Sequence, residues 1–86
     1  MIIKILECLS FEKKGNDWVK VKNNESWKFC YVQHLRQWHL YHWDRTLKLT
    51  DIDLDELTLY QYLKETFSEE WSGVRQMILN DLVKEK

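Results

Sequence analysis

The sequence predicts an α+β fold: a small antiparallel meander of four or five strands, followed by one or two helices packed on one face. Three observations carry this expectation. Turn signals at residues 13–17 and 23–26 separate short runs rich in Val, Ile and Trp. The aromatic stretch 27–43, WKFCYVQHLRQWHLYHW, divides into two runs around His34 to Gln37. Beyond residue 53, apolar residues recur at helical spacing behind residues suited to capping.

Residues 2–11 fit either periodicity. Ile3, Ile5, Leu9 and Phe11 could line a strand, while Ile2, Ile5, Leu6 and Leu9 match a helix, and the density of isoleucine favours the strand. KKGND at 13–17 is a turn in which Gly15 can take positive φ. In WVKVK, 18–22, Val19 and Val21 share one side and Trp18, Lys20 and Lys22 the other, the pattern of an edge or half-exposed strand with a solvated lysine face. NNES, 23–26, is the next turn.

On a helix, Trp27, Cys30, Tyr31, His34, Leu35, Trp38, Tyr41 and His42 would form one stripe. As two strands, Trp27, Phe29 and Tyr31 share a face of the first, and Trp38, Leu40 and His42 a face of the second. Aromatic and β-branched side chains lose rotamer freedom in helices and pack well on a pleated surface, which favours the two strands. Asp44 and Arg45 suggest a reversal, and 46–50 a further strand with Leu47 and Leu49 inward. Asp53 then reads as a helix cap with Glu56 in a capping-box position, ahead of Leu57, Leu59, Tyr60, Leu63 and Phe67. Ser68, with Glu69 and Glu70, reads as a second cap before Trp71, Val74, Met77, Ile78 and Leu82.

A chain of 86 residues is expected to form one domain, β-rich over about 1–50 and helical over about 53–85. Burying a large side chain contributes about 1.5–3 kcal/mol, so the first explanation of the five tryptophans is stability. The start, MIIKILECLSF, is interrupted by Lys4 and Glu7, too short for a membrane span and without a secretory cleavage pattern. A cytoplasmic protein with Cys8 and Cys30 reduced and buried is expected. Residues 1–49 hold nine Lys and Arg against five Asp and Glu, and residues 50–86 four against nine, so balances of +4 and −5 oppose each other.

Chemistry-bearing motifs are sparse. Cys30, His34, His39, His42 and Asp44 are metal-ligand types, but their spacing matches no closed zinc site. Nothing beside Cys30 marks an activated nucleophile. Asp51, Asp53 and Asp55 lack the glycine and terminal glutamate of a calcium loop. No cofactor, metal or catalytic centre is expected. Arg36, Trp38, Tyr41, Trp43 and Trp18 instead have the residue types of an interface anchor, and Asp51, Asp53, Asp55, Glu65, Glu69 and Glu70 would give an acidic helical face. The expected function is a protein-interaction module that inhibits or regulates another macromolecule. The alternative is single-stranded nucleic-acid binding, with rings stacking bases among Lys and Arg. No membrane partner is expected, and a self-complementary aromatic patch would also allow a homodimer.

Overall fold

The computed structural model describes residues 2–84, so residue 85, where the expected helical half ends, lies outside the described residues. The chain opens not with a strand but with α1, Ile2–Cys8. Ile2, Ile5, Leu6 and Leu9 are buried while Ile3 is exposed, which is helical periodicity. Several buried side chains at about 1.5–3 kcal/mol each outweigh β-propensity differences that span only about 1 kcal/mol. The helix ends in a Schellman arrangement: Phe11 N–H donates to Leu6 C=O, Ser10 N–H to Glu7 C=O, and Ser10 turns left-handed at φ 67°.

Five antiparallel strands follow in sequence order: β1 Glu12–Lys14, β2 Asp17–Lys22, β3 Glu25–Val32, β4 Gln37–Trp43 and β5 Leu49–Leu54. Gly15, at φ 64°, makes the first reversal. Asn23 and Asn24, both at positive φ, make the second, as a two-residue hairpin whose strands follow the right-handed sheet twist requires. The stretch 27–43 is two strands, with Val32 opposite Gln37 and Arg36 left-handed in the intervening turn. The fourth connection is organised by Asp44, whose Oδ1 accepts from Thr46 N–H, Thr46 Oγ1 and Lys48 N–H. It carries the chain past the expected strand at 46–50, leaving Leu47 exposed at φ 65° and Leu49 exposed at the start of β5.

The expected cap at Asp53 lies inside β5, and α2, Glu56–Thr66, is capped by Asp55, which accepts from Thr58 N–H at 2.7 Å. A short 3-10 turn, Ser68–Glu70, leads into α3, Trp71–Lys84, and its N-cap position is held by Phe67 rather than by the expected Ser68.

The core lies between one sheet face and the helices. Trp18, Trp27, Phe29, Trp38, Leu40 and Leu54 from the sheet meet Ile5, Leu6, Leu9, Leu59, Leu63, Phe67, Trp71 and Val74. Phe67 packs edge-on against Trp27 at 4.9 Å and Phe11 at 5.7 Å, and Trp27 Nε1 donates to the Tyr62 hydroxyl at 3.0 Å. Among the described residues, no helix is long and apolar enough to cross a membrane.

β2 is an inner strand, not an edge, and its lysines are not on the solvated side. Lys20 extends into the helical layer, its side chain 9% exposed, and donates to the Leu9 carbonyl and to Glu70. The Leu9 carbonyl belongs to the end of α1, where carbonyls lack helical partners, so a sheet lysine completes a helix terminus. Lys22 meets the other Glu70 oxygen at 2.7 Å. Burial would raise the Glu70 pKa, but its hydrogen bonds to Lys22 and Lys20 prevail and hold it below the usual carboxylate range.

Candidate functional site

Strand register decides which side chains share the second sheet face. Val19 pairs with Lys28, Lys28 with Tyr41, and Tyr41 with Asp51. One row over, Asp17 pairs with Cys30, Cys30 with His39, and His39 with Asp53. A third row runs Val21, Ser26, Trp43, Leu49. These positions alternate with the buried Trp18, Trp27, Phe29, Trp38 and Leu40, so they point away from the helices. The face is thus open.

Its centre is aromatic. Tyr41 stacks beside Trp43 at 6.1 Å and 18°, His39 leans on Tyr41 at 4.5 Å, and Lys28 Nζ stands 4.7 Å over the Tyr41 ring. Val21 (73% exposed) and Leu49 (46%) extend the apolar row past Trp43. Toward β5, His39 is held by two carboxylates. Its Nδ1 is 2.5 Å from Asp53 Oδ1, and its solvent-sealed Nε2 meets Asp51 as an ion-pair contact rather than a directed hydrogen bond. The hydrogen bond to Asp53, with Asp51 adding to it, outweighs partial burial and raises the His39 pKa. Burial, reinforced by Asp17, pushes the Cys30 thiol up as well, away from nucleophilic thiolate.

Of the expected anchors, only Tyr41 and Trp43 lie here. Trp18 and Trp38 are 7% and 6% exposed on the covered face, and Arg36 sits in the exposed turn between β3 and β4. The reason is parity: Trp38 differs by an odd number from Tyr41 and Trp43, which on a strand means opposite faces. The expected acidic helical face is divided. Asp51 and Asp53 belong to the sheet, Asp55 caps α2, Glu70 is taken by two lysines, and Glu65 and Glu69 are exposed in the helical layer. Lys28, His39, Val21 and Leu49 are not among the expected anchors, although the alternation that places Tyr41 and Trp43 together also places His39 with them.

The metal-ligand residue types disperse. His42 is stacked on Trp27 at 4.9 Å and 4° and contacts Glu25 at 3.2 Å on the covered side, His34 is in the exposed turn, and Asp44 is engaged by its own loop. Among the described residues, no group of three or more His, Cys, Asp or Glu is placed to hold a metal. Cys8 is exposed rather than buried, Cys30 is half-buried, and both are free thiols.

No protein-family model matches the chain, and neither a curated protein nor a solved structure is detectably similar to it.

Proposed function

We propose that the protein is an intracellular, non-catalytic interaction module that docks another protein on the open sheet face and thereby inhibits or regulates it. One observation carries this reading: β4 sends the stacked pair Tyr41 and Trp43 to a face that the helices leave uncovered, beside exposed Val21 and Leu49. Two rings and aliphatic neighbours, held in register by the sheet, are the residue types from which interface hot spots are built. Because the sheet fixes them in advance, docking orders little that was mobile. Charge favours a protein over nucleic acid. By strand register the face carries Lys14, Lys28 and the His39 imidazole against Glu12, Asp17, Asp51 and Asp53, three bases to four acids, so it lacks the basic excess that phosphate binding draws on.

A photo-reactive phenylalanine analogue replacing Val21 on the open face, with Leu57 on the exposed side of α2 as control, tests the reading. The expected result is a protein adduct at position 21 in cells producing the labelled chain, absent at position 57 and lost when Tyr41→Ala and Trp43→Ala are added. Adducts at both positions that survive those substitutions would contradict it. So would oligonucleotide binding that is lost steeply with added salt and depends on the same two rings.

A further inference from the structure

We propose that His39 is a pH-operated clasp that fastens the edge strand β5 to the rest of the sheet. The clasp acts within the free protein, whatever docks on the open face. Both carboxylates facing His39 come from β5: Asp53 directly opposite on Nδ1, and Asp51 one diagonal step away on Nε2. A carboxylate only accepts hydrogen bonds. A neutral imidazole has one N–H and one lone pair, whereas an imidazolium has two N–H groups. Both contacts are therefore attractive only when the ring is protonated. On deprotonation one nitrogen presents its lone pair to a carboxylate, and that side of the clasp turns repulsive.

The other groups around the ring leave this logic in place. Tyr41, on the same strand, contributes its aromatic ring, and β3 contributes the Cys30 thiol directly opposite. Burial and Asp17 on β2 keep that thiol protonated. Lys28, the nearest cation in the neighbouring row of β3, is directed over Tyr41. Asp51 and Asp53 dominate, and they raise the affinity of His39 for its proton.

What makes the clasp consequential is the weakness of β5 elsewhere. The strand has one neighbour, β4, and five of its six residues are exposed, Leu54 alone being buried. Beyond its ladder to β4 it is anchored by Leu54 at one end and by the Asp44 loop at the other, and the clasp lies between them. A strand so placed is drawn from the low-stability end of the fold, where a local contact controls local opening.

The test is NMR of the intact chain across about pH 5.5–9, following the His39 ring and amide exchange protection in the same samples. The expected midpoint lies above the ordinary value of about 6.5. Protection factors in β5 should fall about threefold or more as pH rises through that midpoint, with β2 and β3 unchanged. Asp53→Asn should lower the midpoint by about half a unit to one unit, and His39→Gln should leave β5 weakly protected at every pH. Asp53→Asn also serves as the second variant should His39→Gln disturb folding. A midpoint at or below 6.5, β5 protection indifferent to it, or an unchanged pH response in His39→Gln would each overturn the proposal.

Discussion

β4 carries Trp38, Leu40 and His42 on one side and His39, Tyr41 and Trp43 on the other, two sets of nearly equal ring content with different fates. The first set lies on the side covered by the helices, where Trp38 and Leu40 join the buried core and His42 stacks on the buried Trp27; the second meets neighbouring positions of the sheet and solvent. The lysines repeat the contrast. Lys20 is drawn under the helices to join Leu9 and Glu70, while Lys28 stands over Tyr41 in the open. Aromatic content thus says little about use. The presence or absence of a covering layer separates a ring that holds the fold together from one left free to hold something else.

Truncation of matched rings should separate the two faces most strongly. Trp27→Ala should cost about 3–5 kcal/mol by urea denaturation, because it empties a packed site and strips Tyr62 and Phe67 of a partner. Trp43→Ala should cost no more than about 1 kcal/mol, since it leaves no enclosed cavity. Similar losses would erase the distinction between the faces. The lysines give a smaller version. Lys20→Ala leaves a helix-end carbonyl and part of Glu70 unmatched, for a loss of about 1–3 kcal/mol, whereas Lys28→Ala should stay within about 0.5 kcal/mol.

The two faces should also fail at opposite ends of the pH scale. The folded pKa of Glu70 is depressed, so its contribution is present above the unfolded value of about 4.3 and lost as pH falls through the folded one. The folded pKa of His39 is raised, so its contribution is complete below about 6.5 and lost as pH rises through the folded one. Urea midpoints across pH should show Glu70→Gln flattening the acid limb alone and His39→Gln the neutral-to-alkaline limb alone. The smallest effect is a gain. Gly73 is inside α3, where an added Cβ would meet only Cys8 Sγ at 3.9 Å, so Gly73→Ala should stabilise by about 0.5–1 kcal/mol without changing Trp43 accessibility.

Much of the fold was legible because its signals are local. Gly15 and the Asn23–Asn24 pair mark reversals through backbone conformations that few residues tolerate, and 27–43 reads as two strands through its aromatic and β-branched side chains. Where local signals conflict, partners distant in sequence decide. The first residues become helical because Ile2, Ile5, Leu6 and Leu9 find the helical layer, and nothing within 2–11 reveals that layer. Asp53 resembles a cap as well as Asp55 does, and the difference is the pairing of Asp53 with His39 across the sheet. The site was half legible for the same reason. Tyr41 and Trp43 stand out by residue type and alternation along β4 sets them apart from Trp38, but only register brings Lys28, Val21 and Leu49 alongside.

The claim that one sheet face is core and the other free can be tested directly with 5-fluorotryptophan. In the labelled protein, five 19F resonances, assigned by single Trp→Phe variants, would be followed as a soluble paramagnetic probe is added. The resonance of Trp43 should broaden well ahead of those of Trp18, Trp27, Trp38 and Trp71, which lie in the core. Broadening of Trp43 no faster than those four would mean that its face is covered in the free protein, and the docking surface would have to be sought elsewhere.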